Sequence, residues 1–293
     1  MDELFELRNY FYLGNFPAAV EEGTTIAVES DATRIERDVI LARAAIARGN
    51  HDEVIQQVSD SSPVAMQAVR LLAMYRKDPA GQREIAELTL REWVADPVSG
   101  SNPALLLVAA IVFSEAGNYD DALRCAHNGQ SLEHSALKIQ ILLMIDRADA
   151  ARKELEGMKR TDEDHTLTQL ASAWVNLAAE DADTIREALY TYQELLERHG
   201  STDLILNGIA SCQLALKQTA EADATLQEAI SRNPNCPETL INMITVAHQR
   251  QKPAELIARY FAQLQTVDPG NPWVQSFIAA DALLSALVAS PPV

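Results

Sequence analysis

A short pattern recurs along the chain at a spacing near 34 residues, and that spacing limits the fold more than any other feature. Gly14-Asn15-Phe16-Pro17-Ala18-Ala19 and Gly117-Asn118-Tyr119-Asp120-Asp121-Ala122 share one shape, with Gly49-Asn50-His51-Asp52-Glu53-Val54 a close variant. Aligned on the last residue, the series runs Ala19, Val54, Leu88, Ala122, Ala151, Ala188, Ala222 and Ile257, in steps of 35, 34, 34, 29, 37, 34 and 35 residues. A unit of this length is too small to bury its own apolar face, so neighbouring units must stack.

Each unit reads as two helices joined by a tight turn, with a small residue where the second helix crosses the first. Larger apolar residues follow at helical spacing: Leu155, Tyr192, Leu226 and Phe261 four positions on, Met158, Leu195, Ala229 and Leu264 seven positions on. Pro234 and Pro269 close the last two units, where proline ends a helix. Thr161-Asp162-Glu163-Asp164 reads as an acidic start to a helix carrying Leu167, Leu170, Trp174 and Leu177. The turn and the period are those of the tetratricopeptide repeat (TPR). The predicted fold is all-α: a TPR-like α-solenoid of antiparallel helix pairs forming a right-handed superhelix. Residues 1–270 hold about seven to eight helix pairs, and residues 271–293 form a C-terminal capping helix and short tail. The third rung, Leu88, has no turn signature before it, and the 29-residue step shortens one unit, so local curvature should change there. The last helix carries Trp273, Val274, Phe277, Ile278, Leu283, Leu284, Leu287 and Val288, and needs cover from the preceding repeat or from a partner.

With 24 Lys+Arg against 42 Asp+Glu, the net charge is −18. Such a surface repels nucleic acid and anionic headgroups, so membrane contact would have to be indirect. The plainer role of the excess acid is to keep a long array soluble. Three dispersed cysteines, Cys125, Cys212 and Cys236, fit a reducing compartment rather than a disulfide framework. The longest apolar run, Ala104 to Phe113, is shorter than the roughly 20 residues that span a bilayer. These features predict a cytoplasmic protein.

Catalytic and metal-binding signatures are absent from the sequence. There is no glycine-rich phosphate loop, HExxH or GxSxG, and no two of the six histidines fall at i, i+4. The carboxylate groups Asp162/Glu163/Asp164 and Asp181/Asp183 could do acid–base work, but they read as helix-start charges favoured by the helix dipole. No enzyme, no cofactor and no metal are expected. Binding residues are sought instead on the concave face, on the first helix of each pair, 15 and 11 positions before each rung. Counting back gives Leu107 and Ile111, Ala136 and Gln140, Ala173 and Leu177, Asn207 and Ser211, Asn242 and Val246. None is basic, so a clamp for a C-terminal carboxylate is not expected there; the set suits a protein segment with apolar and hydrogen-bonding character.

More specific stretches carry a family resemblance. They include Leu7-Arg8-Asn9 with Phe11-Tyr12-Leu13-Gly14, Met66-Gln67-Ala68-Val69-Arg70-Leu71-Leu72, and Ala151-Arg152-Lys153-Glu154-Leu155. Asp164-His165-Thr166-Leu167-Thr168-Gln169-Leu170-Ala171 and Pro237-Glu238-Thr239-Leu240-Ile241-Asn242 belong with them. Together they resemble the epsilon subunits of coatomer over nearly the whole chain. That resemblance implies a non-catalytic structural subunit of the COPI vesicle coat that binds the C-terminal domain of alpha-COP and supports Golgi-to-ER retrograde and intra-Golgi transport. It also implies a cytoplasmic protein peripheral on Golgi membranes and COPI vesicles, attached through the rest of coatomer and an Arf-type GTPase. A different class of reading is a TPR adaptor or co-chaperone that binds short peptides transiently.

If the rungs set the helix crossings, Ala222→Trp should destabilise the fold by about 1–3 kcal/mol through overpacking. A chemical denaturation midpoint equal to that of the parent chain would remove Ala222 from a crossing.

Overall fold

The computed structural model describes residues 2–179 and 181–289, and its regular elements are seventeen helices with no strand among the described residues. The contacts divide the chain into two compact units, Met1–Thr191 and Tyr192–Val293. The first unit contains α1 (Phe5–Tyr12), α2 (Phe16–Thr25), α3 (Asp31–Ala47), α4 (His51–Gln57), α5 (Val64–Lys77) and α6 (Pro79–Ala95). It continues with α7 (Pro103–Glu115), α8 (Tyr119–Asn128), α9 (Leu132–Met144), α10 (Ala148–Thr161) and α11 (Thr166–Leu177). Helix α12 (Ala182–His199) runs through the boundary. The second unit then holds α13 (Asp203–Ala215), α14 (Thr219–Arg232), α15 (Pro237–Gln249), α16 (Ala254–Val267) and α17 (Pro272–Ala289). The tail expected after the last helix lies outside the described residues.

One turn, repeated six times, builds the pairs. The residue that ends the first helix of a pair is left-handed: Gly14 (φ 75°), Gly49 (85°), Gly117 (81°), Asp146 (58°), Lys217 (62°) and Gln251 (53°). The next backbone N–H then reaches back five residues, as from Asn15 to Tyr10 O (2.8 Å), Asn118 to Phe113 O (2.7 Å) and Gln218 to Gln213 O (2.8 Å). This 6→1 bond satisfies a carbonyl left open at the helix end and reverses the chain within three residues. Glycine meets the positive φ without steric cost, which is why the Gly-Asn signature is legible at three of the six sites.

The small residues that the period places on the second helix are buried. Ala19, Ala122, Ala151, Ala188 and Ala222 are each 0% exposed and Val54 is 2% exposed, while Ile257 is only half-buried. Leu88 departs from the expected series: it is 57% exposed, and the buried residues of α6 are Ala86 and Leu90. Its repeat lacks the left-handed turn. Helix α5 runs directly into α6 at Asp78, whose carboxylate accepts from the Gly81 N–H at 3.0 Å, with Pro79 at the first helical position. Without the Gly-Asn turn to fix the register, a count by period overshoots the crossing by two residues. The acidic run is displaced too. Thr161 ends α10, and α11 is capped by His165, whose Nδ1 accepts from the Leu167 N–H at 3.1 Å. Asp162, Glu163 and Asp164 therefore lie exposed between the helices, whereas Asp181 does act at a helix start, accepting from the Thr184 N–H at 3.0 Å.

Within the first unit, the first helices stack in order, α1 on α3, α3 on α5, α5 on α7, α7 on α9 and α9 on α11. Helix α7, flanked by α5, α6, α8 and α9, is apolar on every side, and nine of its residues from Leu105 to Ser114 are buried. His134 joins α9 to the start of α7: its Nε2 lies 3.0 Å from Pro103 O and its Nδ1 2.7 Å from Ser131 Oγ. The carbonyl takes the Nε2–H and the serine hydroxyl donates to Nδ1, which keeps the ring neutral. In the second unit, Gly208 lets α13 approach the Tyr192 ring, which a Cβ would meet at 2.4 Å. Across the same unit, Asn207 Nδ2 donates to Thr239 Oγ1 and to Asp203 O, both at 2.8 Å, and Asn242 Nδ2 donates to Asn207 Oδ1 at 2.9 Å. Helix α17 is packed only at its start. Val274 is 1% exposed and Phe277 stacks on Trp273 at 5.4 Å between centroids, but Leu283, Leu284, Leu287 and Val288 are 61–80% exposed. The preceding repeat thus covers the first turn or so of the last helix, and no more.

Two expectations follow. Lys217→Gly should relieve a left-handed side chain and stabilise the protein by about 0.5–1 kcal/mol; an unchanged denaturation midpoint would show that the turn is not strained. Burial also pushes the His134 imidazole below its ordinary range. Its stabilising contribution is then complete above the unfolded histidine value, about 6.5, and is lost as pH falls, because the unfolded chain gains a proton the folded chain resists. Thermal melts at pH 7.5 and pH 5 should show a larger acid loss for the parent chain than for His134→Gln, and equal losses would refute this.

Candidate functional site

The first helices present a common face in each unit, and a protein-binding surface is the function such a face can serve. The three thiols are buried, and desolvation pushes Cys125 and Cys236 up to about 11 and Cys212 to about 12, so none is a thiolate nucleophile near neutral pH. No three His, Cys, Asp or Glu side chains gather in a metal-holding group among the described residues. No helix among them is long and apolar enough to cross a membrane. An open cleft of 730 Å³ lies between α8, α9 and α10, lined by Leu123, Leu142, Arg124, Lys138 and Lys153. Two of its bases are already engaged, Lys138 by Glu154 (2.7 Å) and Arg124 by Asp121 (3.1 Å).

The counted positions divide into two groups. Gln140 is exposed, and Ile111, Leu177, Ser211 and Asn242 are half-buried, so these five reach the surface. Leu107 (5%), Ala136 (3%), Ala173 (0%), Asn207 (8%) and Val246 (0%) are buried, so they hold the fold and are not open to a partner. Consecutive first helices pack so closely that a position on the expected face can still lie under the next helix. Asn207 is the clearest case: its amide ties α13 to α15, and truncating it would strand the Thr239 hydroxyl in the core.

The count also missed residues at the beginning of the array. Applied to Val54 and Ala19, the same offset of 11 positions gives Arg43 and Arg8, so bases are present on this face after all. Neither is available to a carboxylate ligand. Arg8 pairs with Glu36 at 2.6 Å and with Asp2, and Arg43 pairs with Glu133 of α9 at 2.6 Å with its guanidinium 4.7 Å from the Phe11 ring centroid. Tyr12 reaches the same Glu133 at 3.5 Å and packs with the apolar cluster of α9, α10 and α11. Burial and the neighbouring Glu133 charge raise its phenol well above the ordinary range, so it stays a neutral donor.

Comparison with known proteins identifies the array. A family model described as the coatomer epsilon subunit matches residues 1–290. Coatomer subunit epsilon-1 of Oryza sativa subsp. japonica is 39% identical over 280 residues, covering 96% of this chain and 95% of the relative. Coatomer subunit epsilon of Dictyostelium discoideum is 34% identical over 289 residues, covering 96% of each. Among solved structures, a tetratricopeptide repeat protein from Parabacteroides merdae superposes with a TM-score of 0.61 at 11% identity, over 94% of this chain and 95% of that one. It supports the TPR-like fold alone. The match over almost the full length places this chain in the coatomer epsilon subunit family.

Proposed function

We propose that this protein is a non-catalytic structural subunit of the COPI coatomer, that it holds the C-terminal domain of alpha-COP against its first-helix face, and that it serves Golgi-to-ER retrograde and intra-Golgi transport. The full-length family match carries this reading. The character of the face is in keeping with it: Ile111, Gln140, Leu177, Ser211 and Asn242 offer apolar and amide contacts suited to a folded or extended polypeptide. The protein is cytoplasmic, and it reaches Golgi membranes and COPI vesicles only through the rest of coatomer and an Arf-type GTPase. Its net charge of −18 gives it no means of holding anionic headgroups by itself.

The competing reading is an adaptor or co-chaperone that binds short peptides, and gripping a peptide's C-terminal carboxylate would need free bases on the same face. Arg8 and Arg43 are instead neutralised by Asp2, Glu36 and Glu133. A permanent coat contact should also be large, above about 2,000 Å².

Purification of the tagged chain from its own cells, with quantitative mass spectrometry, tests the choice. Stoichiometric recovery of alpha-COP at about one to one, retained through a high-salt wash, is expected. Substoichiometric recovery of Hsp70 or Hsp90 without coat subunits would overturn the coat assignment.

A further inference from the structure

Asparagine followed by glycine is among the most chemically labile dipeptides, because without a Cβ in the way the glycine nitrogen can reach the side-chain amide. It occurs twice in this sequence, as Asn128-Gly129 and Asn207-Gly208. In both places packing requires the glycine. A Cβ on Gly208 would collide with the Tyr192 ring, and one on Gly129 would collide with the His134 ring. That imidazole is itself held at both nitrogens, by Ser131 Oγ and Pro103 O.

The two asparagines differ sharply in their surroundings. Asn207 is buried, its Nδ2 donates to Asp203 O and Thr239 Oγ1, and its Oδ1 accepts from Asn242. Gly208 follows it in the middle of α13. Asn128 is exposed and ends α8, and its side chain makes no hydrogen bond among the described residues. The Gly129 N–H is held by a terminal bond to Cys125 O at 3.2 Å, and Gly129 is already extended, with φ −76° and ψ 143°.

We propose that Asn128 is a site of spontaneous modification, passing through a succinimide to aspartate and isoaspartate, and that the fold protects the same dipeptide at 207–208. The Gly129 nitrogen attacks Asn128 Cγ. A new N–Cγ bond forms, the Cγ–Nδ2 bond breaks, and Nδ2 leaves as ammonia with the proton that Gly129 gives up. Water then opens the ring. Cleavage at Cγ yields aspartate; cleavage at the backbone carbonyl yields isoaspartate, whose peptide link runs through Cβ and is one atom longer. Reaching the attack geometry takes the asparagine out of its helical dihedrals. At the end of α8 this needs only the fraying of a terminal bond, whereas at Asn207 it breaks α13 in its middle and strips the amide of its partners. Either product sets a carboxylate at the negative end of the α8 dipole. Isoaspartate also shifts Gly129 from its fit against His134, which loosens the joint between α8 and α9. None of this rests on the coat reading.

Ageing the native full-length chain in warm, mildly alkaline buffer, with peptide mapping at intervals, tests the proposal. The peptide bearing Asn128 should gain one mass unit and become a substrate for isoaspartate carboxyl methylation by S-adenosylmethionine and its methyltransferase. It should do so at least about ten-fold faster than the peptide bearing Asn207, a ratio that a modest difference in local opening supplies. In concentrated urea the two peptides should convert at similar rates, since the sequence then acts alone. Asn128→Gln should abolish methylation of the first peptide. Equal native rates, or Asn207 reacting first, overturn the proposal. So does an Asn128 peptide that keeps its mass in the native chain while the urea-treated sample converts. A rate ratio that persists unchanged in urea overturns the protective role given to the fold.

Discussion

The structure depends on how closely two helices can approach at one point in each repeat. The alanine that the period places at that point is fully buried in five of the repeats, and a side chain this small lets two backbones approach. Interiors are packed to crystal density, so an added methylene at such a crossing has nowhere to go. With the crossing fixed, the left-handed turn before it and the apolar knobs after it set the geometry of the pair. Stacked pairs then leave the first helices lying side by side. The face they share is a by-product of this packing.

That origin explains what could be read in the chain and what could not. The rungs and turns are local, so Gly14-Asn15 and Gly117-Asn118 announce them directly. Where a repeat uses different local chemistry the reading fails, as at Asp78-Pro79, where Ala86 rather than Leu88 is buried. His165 replaces the expected acidic residues as a cap because an imidazole nitrogen can accept the same backbone N–H. The face itself was only half legible. Spacing along one helix says which way a residue points but not whether the next helix covers it, and this separates Gln140 from Ala173. The hydrogen bond from the Thr166 hydroxyl of α11 to Asn9 Oδ1 of α1, at 2.8 Å, left no local trace, since 157 residues separate its partners.

Charge divides along the same lines. The chain carries a large acidic excess, and its inward arginines, Arg8 and Arg43, are met by carboxylates of the chain itself. Bidentate-capable guanidinium groups placed this way give orientation as well as attraction, and they remove the means of gripping a foreign carboxylate.

Helix α17 carries one acidic residue, Asp281, and a run of leucines left bare to water. An apolar helix surface left open in this way is sticky, and invites association between identical molecules. What opposes that in dilute buffer is mutual repulsion between copies bearing −18 each. The restraint vanishes as the medium is acidified toward the isoelectric point of 4.7, so the free chain has a colloidal boundary set by its titration curve and not by its unfolding.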